Sequence, residues 1–211
     1  MNFSVSVFLG TLSSILVVIL ASFLVEKKFA KRSKPRRKTW WLIAHIFFVV
    51  LYFSGLLGTL LLSLSTAFTD RSGLIYAAHL FIQFFDWFLI IPGAFGSLTT
   101  GFGLAVGRWG ITRHYWVIAK WVGNSLAILF GAMCMRVWIH DSFPILFADG
   151  MNPLQNPAYL ENRRLLVMGT LVSLSILTFL VVISYLKPWG KRKKYRRSRK
   201  SSAGRKTAPF V

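Results

Sequence analysis

Five long apolar runs divide this chain, and the segments between them alternate between heavily basic and nearly uncharged. The runs cover residues 3–25, 40–65, 74–106, 115–138 and 165–186. Runs of roughly 20 residues, at about 1.5 Å each, cross about 30 Å of hydrocarbon. A backbone in lipid must satisfy its own hydrogen bonds, so these runs are expected to be helices. The strict apolar–polar alternation of a membrane barrel is missing. Composition agrees. Hydrophobic residues make up 55% of the 211, charged residues 15%, and the mean hydropathy is +0.56, which is too apolar for an ordinary soluble domain.

The net charge of +20 would suit a nucleic-acid partner, but its placement argues for none. Eight Lys/Arg lie between Lys27 and Lys38 and eleven between Lys187 and Lys206. Both clusters abut apolar runs, where basic residues fix topology, rather than forming a patch on a folded face. The first run resembles a signal peptide in length. It lacks a basic leader and a small-x-small site before Glu26-Lys27-Lys28, so it reads as a retained helix.

The charge pattern also sets an orientation. With the N-terminus outside, residues 26–39, 107–114 and the tail fall inside, and with Lys120 they hold 22 of the 26 basic residues. Arg71, Arg136, Arg163 and Arg164 fall outside. Five spans, N-out and C-in, therefore obey the positive-inside rule. Trp40, Trp41, Trp109, Trp116, Trp138 and Trp189 sit near run ends, as interfacial aromatics do. Residues 139–164 read as an outer loop punctuated by Pro, Gly, Asn and Asp. Within it a short helix from Pro157 to Arg164 is expected, capped by Asn156. The organisation is thus an N-terminal helix and basic loop (1–39), a four-helix bundle (40–186) with the first helix peripheral, and a disordered basic tail (187–211). The partners this implies are the bilayer and anionic headgroups under the tail, each nearby basic residue contributing up to about 1 kcal/mol. A homo- or hetero-oligomer is compatible with it.

Polar residues inside the runs are the next constraint. In the third run His79, Gln83, Asp86, Gly93, Ser97, Thr100 and Gly107 share one helical face, with Ile90 and Leu104 as its apolar members. That face is expected to point into the bundle, making this helix its centre, with small residues allowing close approach. Pro92-Gly93 predicts a bend. Asp86 stands out, because a charged carboxylate near the bilayer core costs roughly 2.5–3.5 kcal/mol. It serves either as a structural hydrogen bond or as a functional group, and Lys120 is a candidate partner unless it snorkels to the headgroups. In the second run His45, Tyr52, Gly55, Thr59 and Thr66 share a face.

The histidines fall at two depths, His45 with His114 toward the inner side and His79 with His140 toward the outer. Paired imidazoles hold haem b between membrane helices, so haem is the alternative cofactor. The competing reading is that these histidines bond to carbonyls or headgroups. No clustered His/Cys/Met set suggests another metal. The single cysteine, Cys134, reads as a small buried apolar residue. Enzyme signatures are missing: there is no phosphate-binding Gly-rich loop, no HExxH and no Ser/His/Asp set. The third-run glycines follow no strand and are packing glycines.

Trp41-x3-His45 with Tyr52-Phe53-Ser54-Gly55, Ile91-Pro92-Gly93 through Thr100-Gly101, His114-Tyr115-Trp116-Val117-x2-Lys120-Trp121, and Lys187-Pro188-Trp189-Gly190 together resemble a family of small bacterial membrane proteins distantly like the copper-resistance D-like membrane domain. The resemblance covers residues 40–190. It implies a helical bundle in a bacterial cytoplasmic membrane and brings no established activity. The copper-uptake association does not carry over, because no Met/His/Cys relay is present. The expectation is an all-α membrane bundle acting as a non-enzymatic envelope, assembly or transport-accessory factor. Asp86, His79, Gln83, His45 and Lys120 are its candidate intramembrane residues. The alternatives are a haem-binding redox or sensor protein and, more weakly, a proton- or cation-coupled transporter.

Overall fold

The computed structural model describes residues 9–17, 20, 35–105, 114–147, 152–187 and 189. Most of the first basic cluster, Gly107 and Trp109 with their basic loop, residues 148–151 and the basic tail lie outside them. Nearly all the described residues are helical, and none of them lies in a strand. Residues 9–17 form α1. Then come α2 (Pro35–Ser65), α3 (Ser72–Leu104), α4 (Tyr115–Leu146) and α5 (Pro157–Leu186). The last four are long and apolar enough to cross a membrane. α1 contributes Ile15 to the apolar core while Leu9, Leu12, Leu16 and Val17 stay exposed, so it lies at the edge of the bundle.

Local sequence explains the ends. Asn156 caps α5 by accepting from the amides of Ala158 (2.9 Å) and Tyr159 (3.4 Å), and Pro157 opens the helix where no amide donor is needed. The cap and proline read from the sequence are present, but they start α5 itself rather than a separate short helix. α5 stops at Lys187, the one non-glycine residue at positive φ (48°) among those described, just before Pro188. α4 differs more. It runs through Pro144 to Leu146, so His140 and Asp141 are helical rather than loop residues. The proline falls in the last turns, where one missing hydrogen bond is tolerated.

The bend expected at Pro92 takes another form. Residues Asp86–Ile90 make a π-turn, and the Ile91 amide reaches back to the Asp86 carbonyl. Pro92 cannot donate to the preceding turn, and the wider turn just before it absorbs that loss within a continuous helix. α4 has a second π-turn at Gly131–Met135.

α2 and α3 run antiparallel at very short range. Trp41 covers Gly103, His45 covers Gly101, Phe48 covers Gly96, Tyr52 covers Gly93, Leu89 and Ile90 cover Gly55, and Phe85 covers Gly58. A large group on one helix thus meets a glycine on the other at nearly every turn. Around this pair α5 buries a stripe from Tyr159 to Ile183, and the polar face of α3 is buried at His79, Asp86, Gly93, Ser97 and Thr100. α3 spends much of its other surface outward as Phe81, Phe84, Trp87 and Phe88.

A Cβ on Gly93 would lie 2.6 Å from the Tyr52 amide nitrogen, whereas nothing lies within 4 Å of one on Gly73. Gly93→Ala is expected to destabilise the protein by about 1–3 kcal/mol through overpacking. Gly73→Ala should be neutral or slightly stabilising, because alanine favours helix. Thermal unfolding in detergent checks this, and equal melting temperatures for the two variants would refute the close-approach account.

Candidate functional site

Buried polar side chains concentrate in the half of the bundle that holds the α2–α3 and α4–α5 connections. α2 supplies Thr59, Ser63 and Thr66, α3 supplies His79 and Asp86, α4 supplies Arg136 and Ser142, and α5 supplies Tyr159, Arg163, Thr170 and Ser173. All but the two arginines are buried. The α2–α3 register orders them. Since Gly58 meets Phe85, Thr59 falls at the level of Asp86. Continuing the antiparallel pairing, Ser63 falls one turn beyond and Thr66 near the level of His79.

Asp86 opens the α3 π-turn, and Arg136 directly follows the α4 π-turn. Arg136 Nε lies 4.0 Å from Asp86 Oδ2, a distance for charge attraction but not for a hydrogen bond. Oδ2 is buried without a hydrogen-bond partner. The Asp86 side chain is 12% exposed and that of Arg136 35%, so the acid is the more enclosed of the two. Lys120 does not reach Asp86. It donates to Ser184 Oγ at 3.0 Å, far along α4 toward the other end.

His79 has no exposed surface, and its ring packs 5.3 Å from that of Tyr159. Nδ1 lies 3.2 Å from the Ile75 carbonyl, which can only accept, so Nδ1 carries the proton. In the neutral ring Nε2 is then a bare acceptor, and it too has no partner. The Tyr159 hydroxyl comes close to the Thr66 side chain without meeting hydrogen-bond geometry. Arg163 donates to the Thr66 carbonyl at 3.2 Å and lies 6.0 Å from the centre of the Tyr159 ring. Gln83 is only half-buried and takes no part in these contacts.

Hydroxyls elsewhere bond to their own helix. Ser54, Ser65, Thr66, Ser97, Thr99, Thr100, Ser142, Thr170, Ser175 and Thr178 all donate to a carbonyl three or four residues back. Thr59 Oγ1 and Ser63 Oγ do not, although both are buried. Their hydroxyls are left for something other than their own backbone.

At the other end the described buried polar groups have partners. Thr100 donates to the Gly96 carbonyl at 2.6 Å, so its oxygen accepts from His45 Nδ1 at 3.0 Å. Asn124 donates to Ser97 at 3.4 Å. Apolar residues, among them Tyr52, Leu98 and Ile128, fill the core between the two ends.

The histidines do not assemble as the haem reading needs. His79 is enclosed against Tyr159, whereas the His140 side chain is 56% exposed and sits 3.5 Å from Asp141. His45 packs on Gly101 and bonds to Thr100, and His114 is the extended residue before α4, beside Trp116. No group of three His, Cys, Asp or Glu among the described residues could hold a metal ion. No protein-family model, curated protein or solved structure matches the chain.

Two predictions follow from the charges and the imidazoles. Arg136→Gln leaves an enclosed carboxylate without its counter-charge and should cost on the order of 3 kcal/mol. Asp86→Asn leaves a cation that can reach outward and should cost less, and the double variant should recover part of the Arg136→Gln loss. Urea unfolding in mild detergent measures all three, and a double variant as unstable as the sum of the two singles would dissolve the pair. The second concerns haem. Protein purified after expression with full haem supply should show no Soret band that depends on His79 or His140, and a band lost in either alanine variant would restore the outer haem pair.

Proposed function

We propose that this chain is a five-span membrane protein, N-terminus outside and C-terminus inside, in a bacterial cytoplasmic membrane. Its role is that of a non-enzymatic envelope, assembly or transport-accessory protein, and its working part is the polar interior around Asp86. The four long apolar helices and the exposed aliphatic and aromatic residues along them support the membrane reading. The distribution of basic residues supports the orientation. The resemblance over residues 40–190 supports the bacterial setting.

One observation carries the functional part. Asp86 and Arg136 face each other inside an apolar bundle, each beside a π-turn. A scaffold does not need the charges, and the α4 π-turn, unlike the one before Pro92, has no adjacent proline to account for it. Intramembrane ionisable groups and π-turns both mark working sites.

Orientation is checked in a Cys134→Ser background. Asp70→Cys should react with a membrane-impermeant maleimide in intact spheroplasts, and Ser198→Cys only after permeabilisation. The opposite pattern would sink the orientation. For the working part, a deletion strain under acid, osmotic and cation stress is complemented with Asp86→Asn or Arg136→Gln. Loss of complementation at wild-type protein levels is expected, and full complementation by both would reduce the pair to a structural one.

A further inference from the structure

We propose that the seam between α3 and α4 at the Asp86 end seats the phosphate of a membrane phospholipid, with Arg136 as its anchor and Gln83 beside it. The proposal rests on the membrane reading above and names a partner for the Arg136 side of that site.

The two helices are pinned together at two levels. Arg136 of α4 faces Asp86 of α3, and about three turns outward Phe147 packs edge-on against Tyr76, ring centres 5.0 Å apart. Helical period places the residues between the pins. Gln83 lies one turn from Asp86 and two turns from Tyr76, on the side of α3 that meets α4. Arg136, His140, Phe143 and Phe147 recur at steps of four and three, on the side of α4 that meets α3. Between the pins the seam opens outward from the bundle. The His140 side chain is 56% exposed and that of Arg136 35%, and Gln83 is half-buried.

The donors in this seam are unspent. At 4.0 Å Arg136 Nε attracts Asp86 without hydrogen bonding to it, and among the described residues neither the guanidinium nor the Gln83 amide makes a hydrogen bond. A guanidinium carries five N–H donors and a carboxamide two. On a soluble surface water would take them. Along a membrane helix the surroundings are lipid, whose hydrogen-bond acceptors lie in the headgroup layer.

Depth brings that layer within reach. From Lys120 to His140 is about 30 Å of helix, the thickness of the hydrocarbon. With Lys120 at one boundary, His140 and the exposed Asp141 stand at the other. Arg136 then lies one turn, about 6 Å, inside it, a depth from which a long basic side chain extends to the headgroups.

The chemistry selects phosphate. Its oxygens accept side-on from the planar guanidinium fork, and one more can accept from the Gln83 amide. Inward of the polar groups Trp87 of α3 and Met133 of α4 are exposed and apolar, a bed for the acyl chains of the same molecule. Asp86 is the competitor for the guanidinium, so removing its charge should strengthen the lipid contact.

Native mass spectrometry of the full-length, delipidated protein in mild detergent tests this, titrated with phosphatidylethanolamine and with diacylglycerol of the same chains. The zwitterionic headgroup keeps the basic tail from dominating. One phosphatidylethanolamine should be retained in preference to diacylglycerol. Its affinity should fall at least about tenfold in Arg136→Lys, which keeps a charge beside Asp86 but loses the fork, and severalfold in Gln83→Leu. Asp86→Asn should bind more tightly than wild type, and Arg164→Gln should bind as wild type does. Equal retention of diacylglycerol, affinity indifferent to both seam variants, weaker binding in Asp86→Asn, or a loss in Arg164→Gln as large as in Arg136→Lys would each overturn the proposal. Displacement of the lipid by inorganic phosphate would overturn it too, by making the seam a soluble-anion site. The maleimide and complementation experiments stand apart from these outcomes, so the membrane reading and the lipid seat can fail separately.

Discussion

The close approach of α2 and α3 is the constraint on which the rest depends. Between helices in lipid there is little hydrophobic gain, since an acyl chain is as apolar as a leucine. Association has to come from dispersion at short range and from buried polar contacts. Six glycines, on both helices, supply the short range, and each receives a large neighbour. The helices cannot slide without driving an aromatic ring into backbone, so their register is fixed. That register sets Thr59 beside the level of Asp86 and Thr66 near His79. The levels at which these polar residues sit follow from the glycine ladder rather than from a separate device.

The second constraint is how a carboxylate is kept inside. Insertion costs roughly 2.5–3.5 kcal/mol for a charge at the bilayer centre, whereas an interhelical hydrogen bond returns about 0.6 kcal/mol on average. One hydrogen bond could not offset Asp86, but an opposite charge can. Arg136 suits the task because its long side chain stays 35% exposed while Nε faces the acid. Each π-turn shifts the residues beyond it around the helix, because a wider turn changes the angle between successive side chains. Placing such a turn beside each member of the pair turns both toward the same interior space.

Much of this was legible in the sequence, and the failures have a common cause. The inward face of α3 was readable because its period of three and four is a property of any helix, and His79, Asp86, Gly93, Ser97 and Thr100 are indeed buried. Arg136 was not read as interior because α4 was ended at Trp138, which made the arginine interfacial. Pro144 and His140-Asp141-Ser142 look like loop chemistry, yet the helix continues past them and carries Arg136 about 15 Å from its end. The same truncation turned His140 into a loop residue. At α5 the reverse occurred: Asn156-Pro157 was read as the start of a short helix, and Tyr159 and Arg163 were lost to the site. Helix ends in such chains are set by where backbone donors are satisfied, which local composition reports poorly.

The asymmetry between the two ends separates structure from function. Both ends contain buried histidine, hydroxyls and a basic residue, so composition cannot distinguish them. At the Lys120 end the described groups have partners: His45 with Thr100, Asn124 with Ser97, Lys120 with Ser184. That pattern is what a bundle built for stability requires, since the described buried polar groups there are accounted for. At the Asp86 end Thr59, Ser63, His79, Asp86 and Tyr159 each keep a buried polar atom unpaired, and two of these hydroxyls forgo the backbone bonds that Thr66, Ser142 and Thr170 make. Stability alone would favour apolar residues at Thr59 and Ser63. Keeping hydroxyls there has a cost, and the orphaned acceptors on His79 and Asp86 add to it. A partner that donates hydrogen bonds there would offset that cost.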